Sequence, residues 1–342
     1  MAIALVLIVP GLLTRPEREL ASMRALAMLC RHASARVERN GIVAAIFDAI
    51  GMPPGSPVAP LALLGAGVDP GDDYVLLAEP VHLAADRDRG ISAQAIDDLS
   101  AADAVRFVQT LDAHFRDDDL RFEAVRPNAW FARRREPAQI ATTPPDAARD
   151  AERLANLPTG ADSALWRRWQ NEIEMLLFDH PVNIARESRG EQAVTAVWFW
   201  GGGRLADVAL LPRLTVAAPP TMPGDVVRGI ALHGKSASGT ARAGTAAPAA
   251  EDANRDLGDI VAQAQHYKGT PVMVVSGKDS DIDARAFAPA LEHLVARKLD
   301  SVTIVANGAK GVVVLKAKPP TLWQRLMQLR PSPLRIPTAG HR

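Results

Sequence analysis

Apolar positions along this chain follow two rhythms. Near both ends, short unbroken apolar runs rich in β-branched residues predict strands buried on both faces. Between them, segments with apolar positions every three to four residues predict amphipathic helices. Ala2 to Val9, Thr270 to Val275, Ser301 to Ala306 and Gly311 to Lys316 read as strands. Glu17 to Arg31, Asp225 to His233, Leu257 to Tyr267, Ala284 to Leu299 and Leu322 to Leu329 read as helices. Arg36 to Asn40 reads as a polar link, and Ile42 to Ile50 as an apolar element whose period fits either type. This alternation predicts an α/β core with a largely parallel sheet flanked by helices.

The middle of the chain patterns differently. Tyr74 to Leu83 reads as a strand running to a turn at Asp86 to Gly90, with His82 as a satisfied, partly buried side chain. Ser100 caps a helix to Phe115, and short antiparallel strands follow at Leu120 to Ala124 and Trp130 to Ala132. Arg133 to Arg135 reads as a solvated edge. A proline-marked connector from Thr142 to Gly160 leads to a helix from Ser163 to Phe178, striped by Leu165, Trp169, Ile173, Leu176 and Leu177. These elements predict an inserted α+β subdomain over 101–204, between core segments 1–100 and 205–342.

The rest of the chain is organised around Asp179 to Gly203. A polar, turn-forming segment centred on Asn183 and Arg186 leads into the apolar run Val194 to Trp200, stopped by Gly201, Gly202 and Gly203. Such a run is a buried strand delivered to backbone that bends or approaches something closely. Trp198 and Trp200, two apart, share one face.

Composition narrows the function classes. Hydrophobic residues make up 48% of the 342, enough for a substantial core. Lys plus Arg equals Asp plus Glu at 39 each, so no net field favours nucleic acid or a membrane surface. One cysteine, Cys30, excludes an internal disulfide framework and a cysteine-rich zinc site. Met1 to Leu13 is apolar but lacks a basic leader and is too short to span a bilayer, which predicts a cytoplasmic protein.

Three segments carry a resemblance. The run His180-Pro-Val-Asn183 with Arg186, Gly190 and Trp198-Phe-Trp200-Gly201 resembles archaeal-type cofactor-independent phosphoglycerate mutases. It is most similar to a bacterial branch of RpfE-type regulatory proteins. Gly55-Ser56-Pro-Val-Ala-Pro60 with Asp69-Pro70 resembles the same family's phosphoryl-serine box, and Thr142-Thr-Pro-Pro145 fits its pattern. The resemblance implies an alkaline-phosphatase-like core and two divalent metals. It makes Ser56 the vestigial nucleophile position, and Asn183, Arg186 and Trp200 ligand-binding candidates. Ser56 before Pro57 also has the form of a helix N-cap, which is a natural phosphate seat.

Phosphoryl transfer on two metals needs carboxylate and imidazole ligands, normally on loops at the C-terminal ends of core strands. At those places the chain has Pro10-Gly11-Leu12-Leu13, Ser276-Gly277-Lys278-Asp279 and Asn307-Gly308-Ala309-Lys310; Pro57 and Pro60 replace the box's Asp and His. The sequence therefore predicts no metal site and no cofactor. Asp279, Asp281 and Asp283 open like a calcium loop, but Ala284 and Ala290 stand at its required glycine and glutamate. They read as a helix N-terminal cluster. Gly229 to Ser236 spells a phosphate loop without the preceding strand and following helix such a loop requires. Ser236 to Asn254 reads as a loop. The expected function is a degenerate mutase-like protein that binds or regulates through a small phosphorylated metabolite or a protein partner. The alternative is an active mutase or phosphatase holding Mn or Zn on relocated ligands, with Ser56 as phosphoryl acceptor.

Overall fold

A computed structural model describes residues 3–31, 33–86, 90–148, 156–209, 212–237, 255–308 and 311–319. The chain opens with β1 (Ala4–Val9), α1 (Glu17–Ser22), α2 (Arg24–Arg31), β2 (Ala33–Glu38), α3 (Ile42–Ile50) and α4 (Ala59–Gly65). It continues through β3 (Tyr74–Asp86), β4 (Gly90–Ala95), α5 (Ala101–His114), β5 (Arg121–Arg126), β6 (Ala129–Arg134), α6 (Ser163–Phe178) and α7 (Pro181–Ser188). Then come β7 (Ala196–Gly203), β8 (Leu214–Ala217), α8 (Met222–Ala237), α9 (Leu257–Tyr267) and β9 (Thr270–Val274). A π-helical turn at Asp283–Phe287 leads into α10 (Ala288–Val295), followed by β10 (Ser301–Gly308) and β11 (Gly311–Ala317). The expected helix at 322–329 and most of the expected loop at 236–254 lie outside the described residues.

These elements form two compact units: Met1–Gly55 with Leu210–Arg342, and Ser56–Ala209. The first contains a six-stranded sheet in the order β2-β11-β10-β1-β9-β8. Strands β10, β1, β9 and β8 run parallel, while β11 and β2 are antiparallel additions. Period-2 geometry gives β1 two apolar faces. Leu5, Leu7 and Val9 join a core with α2, α9 and α10, and α3 packs against β1, β10, β11 and β2. The α/β class with a largely parallel sheet is the one observed. Gly51, just past α3, has φ 78, the left-handed conformation glycine adopts without a Cβ penalty.

Two readings of this unit need correction. The polar link at 36–40 is largely β2, whose pattern is polar because it lies at the sheet edge and buries neither face. The helix at 17–31 is broken at Met23 into α1 and α2. Asp283 explains the second start: its carboxylate accepts hydrogen bonds from Ala25 N (3.2 Å) and Leu26 N (3.0 Å) and so caps α2 from far along the chain.

The second unit is built on an antiparallel sheet. β3 is paired along one edge by β7 and along the other by β6 and then β4, with β5 outside β6. Helices α5 and α6 cover one face, packing Phe107, Leu111, Trp166, Trp169 and Ile173 on Leu76, Trp130 and Phe199. Ser100 caps α5 by accepting from Asp103 N at 3.1 Å, as expected. The sequence boundary at 101 and the contact boundary at Ser56 differ because β3 and β4, although in the expected core segment, pair only with strands of this second sheet.

Candidate functional site

The C-terminal ends of β1, β9 and β10 are where an α/β unit of this kind normally places its chemistry. Here backbone packed on backbone fills them. A Cβ built on Gly277 would lie 2.2 Å from Leu12 N, and one on Gly308 would lie 2.6 Å from Leu13 C. Gly277 N donates to Pro10 O at 2.8 Å, and Gly11 N donates to Asn307 Oδ1 at 2.8 Å. The Arg15 guanidinium donates to the carbonyls of Gly277 and Asp279, so a fixed cation already takes these oxygens. Asp279 is taken as well, by Arg285 (2.7 Å) and by Asp281 N (3.0 Å). Hard divalent metals need several anionic or neutral oxygen or imidazole donors. An amide, a guanidinium and closely packed glycines do not fit two such ions. Among the described residues no group of three or more His, Cys, Asp or Glu comes together to hold a metal.

The resemblance-derived residues all belong to the second unit. Ser56 is half-buried in irregular backbone and does not cap a helix: α4 starts at Ala59 with Val58 as its N-cap. Pro60 occupies the first turn of that helix. Asn183 and Arg186 lie on a helix, α7, where the sequence suggested a turn. Pro181 at its first turn fixes φ for helix entry, and the His180 ring nitrogen caps it by accepting from Val182 N at 3.2 Å. The carboxamide of Asn183, 2% exposed, ties α6 to the lead-in of β7. It donates to Leu177 O (2.7 Å) and Val194 O (2.8 Å) and accepts from Val194 N (2.9 Å). Arg186, 1% exposed, donates to Gln192 O (2.8 Å) and pairs with Asp98 (2.6 Å) and Glu191 (3.3 Å).

Trp200 lies in β7, which continues through all three glycines rather than stopping at them. The glycines serve close approach: a Cβ on Gly201 would meet Val58 at 2.9 Å, and one on Gly202 would meet the Tyr74 hydroxyl at 2.5 Å. Trp200 Nε1 donates to Glu79 Oε1 at 2.9 Å, and Trp198 Nε1 donates to Thr143 O at 2.8 Å. Asn183 and Arg186 thus share α7, Trp200 is tied to β3, and each of the three has its polar atoms engaged within the unit.

Glu79 is the functional candidate that the sequence reading passed over. Burial pushes its carboxyl up from the ordinary 4.5 to about 7; the Trp200 hydrogen bond opposes this and the Asp146 charge adds to it. A carboxyl so shifted is suited to proton exchange near neutrality. The signal was a lone acid inside the apolar run YVLLAEPV, where a charge facing a packed sheet is exceptional. His180 is also perturbed. Burial lowers its pKa against the Asp179 charge, and its other ring nitrogen lies 3.0 Å from Thr110 Oγ1. His82 Nδ1 lies 2.9 Å from Ala193 O, consistent with a satisfied, partly buried ring.

The phosphate-loop letters, Gly229 to Ser236, fall inside the continuous helix α8. Their amides are therefore in the helical ladder and do not form a cradle. Arg133 is no solvated edge: it pairs with Asp73 (3.1 Å) and Glu123 (3.2 Å) and donates to the carbonyls of Asp69 and Pro70. Among the described residues no helix is long and apolar enough to cross a membrane.

No family model matches the sequence, and no curated protein matches it. Solved structures similar to it include a cofactor-independent phosphoglycerate mutase from Thermoplasma acidophilum. That structure is 11% identical, with a TM-score of 0.38, over 93% of this chain and 90% of its own. The PH0037 protein from Pyrococcus horikoshii is 12% identical, with a TM-score of 0.46, over 93% of this chain and 88% of its own.

Proposed function

We propose that this chain is a phosphoglycerate-mutase-like protein of the RpfE-type regulatory branch. In this reading it has given up metal-dependent phosphoryl transfer and acts in the cytoplasm as a binding or regulatory protein. The observation that carries the reading is the closure at the ends of β1, β9 and β10. There Gly277 packs on Leu12, Asn307 bonds the Gly11 amide and Arg15 holds the carbonyls that would face a cation. Ser56 is then a remnant of the resemblance. The ligand class is a small phosphorylated metabolite or a protein partner, with no cofactor.

Two measurements on the purified protein test this: elemental analysis, and a mutase assay with 3-phosphoglycerate and manganese. The expected outcome is substoichiometric metal and no turnover. Stoichiometric manganese or zinc, with turnover abolished in Ser56→Ala, would overturn the reading in favour of an active mutase or phosphatase with relocated ligands.

A further inference from the structure

A neutral imidazole has one ring nitrogen that donates and one that accepts, whereas an imidazolium has two donors and no acceptor. A histidine whose accepting nitrogen carries a structural bond therefore makes that bond conditional on pH. His180 is such a residue. Its side chain, on a residue 7% exposed, caps α7, with Nδ1 accepting from Val182 N at 3.2 Å. The other nitrogen, Nε2, lies 3.0 Å from Thr110 Oγ1. The Thr110 hydroxyl donates to Arg106 O at 3.2 Å, one turn back on α5, so toward the ring its oxygen accepts. Both contacts require the same species, the neutral ring with its proton on Nε2. Phe107 packs against that ring, their centroids 4.5 Å apart.

A second proton has no acceptor waiting for it. On Nδ1 it would face the Val182 N–H, at the positive end of the α7 dipole and away from solvent. The charged groups around the ring come from three helices. Asp103, Arg106 and His114 of α5, Asp179 at the end of α6 and Arg189 at the end of α7 line the same open groove as His180. Burial holds the His180 pKa below the ordinary 6.5, and the Asp179 charge opposes this without overcoming it. Arg186, further along α7, is committed to Asp98 and Glu191.

We propose that His180 is a pH-sensitive latch on α7: the neutral ring caps the helix, and the imidazolium, unable to accept, releases its first turn. Asn183 sits in that turn and ties α6 to the lead-in of β7, so release is felt beyond the helix itself. The direction follows from proton binding. The folded chain binds the ring proton less tightly than the unfolded chain, so the cap is complete above pH 6.5 and is lost as pH falls below it. Glu79, with its pKa raised, acts in the opposite sense, which keeps the two effects separable.

The experiment follows the full chain by NMR between about pH 7.5 and 5, reading imidazole nitrogen shifts and the protection of α7 amides from hydrogen exchange relative to α6. At the upper pH, a bare Nδ1 and a protonated Nε2 are expected. On acidification, protection in the first turn of α7 is expected to fall about fivefold, the ordinary worth of one helix cap. His180→Asn keeps an acceptor at the cap and removes the titrating group, so its α7 protection is expected to stay level. His180→Ala is expected to be as open at the upper pH as the wild type is at the lower; if it does not fold, the asparagine variant decides. A proton on Nδ1 at the upper pH, wild-type protection that does not change, full protection in His180→Ala, or the same acid loss in His180→Asn would overturn the latch. The latch does not rest on the loss of phosphoryl transfer, and none of these outcomes bears on it.

Discussion

Both units bury charged side chains, the first pairing Asp225 with Arg228 within α8, but they use polar groups differently around their central strands. In the first, the ends of the central strands are closed with main chain: glycines in contact, one asparagine on an amide, one arginine on carbonyls. In the second, Asn183 and Arg186 are drawn into the packed interior, and the half-buried Glu79 carries a carboxyl pushed up to about 7. A scaffold whose strand ends are filled by backbone has little freedom to acquire reactants there. A sheet that holds a carboxyl pushed up to about 7 keeps a group that can respond to pH.

The largest expected effect probes the interior of the second unit. Asn183→Leu removes the partner of the Val194 amide, a bond to Val194 O, and one of the bonds to Leu177 O, which also accepts from His180 N at 3.3 Å. A loss of about 4 kcal/mol in urea unfolding is expected, at roughly 1–3 kcal/mol per orphaned group with incomplete additivity. A loss below 1 kcal/mol would mean that the carboxamide is free for a ligand instead. Next comes Gly277→Ala, whose Cβ would press on Leu12 N at 2.2 Å, backbone against backbone. About 2–3 kcal/mol of destabilisation is expected from such overpacking. Full tolerance would show that the strand ends are open, and the contrast between the units would disappear.

The smallest effect is read against pH. Glu79 keeps its proton to about 7 in the folded chain, against an ordinary 4.5. The folded state therefore binds more protons than the unfolded state between these values, and stability falls as pH rises through the window. Relative to Glu79→Gln, the wild-type chain should lose about 2 kcal/mol between pH 4.5 and 7, with little further change above. Parallel curves for the two proteins would place Glu79 in ordinary solvent.

Period alone revealed much of this molecule. β1, α6, α9, β9, β10 and β11 are where apolar runs and helical stripes place them, because each buries the face its pattern marks. Sequence reading failed where a distant partner decides the local outcome. The break at Met23 depends on the Asp283 cap, and β2 reads as a link because edge strands carry no apolar signature. α7 was obscured by Asn183, taken for a turn former, whose amide is absorbed by backbone at both ends. The residue types at the strand ends, Pro10 to Leu13, Ser276 to Asp279 and Asn307, could be read residue by residue. The packing that closes those ends could not, since a glycine in a sequence does not say what it touches.

The register of β1 has a consequence for synthesis. Val6 and Leu7 lie opposite Val272 and Met273 on one side and Thr303 and Ile304 on the other. At about 5–20 residues per second, the most apolar strand waits tens of seconds on the ribosome before either neighbour exists. Residues 56–209 form a contiguous unit complete well before then. A cell making this chain must shelter an unpaired hydrophobic strand, and holdase chaperones would find their binding segment at its beginning.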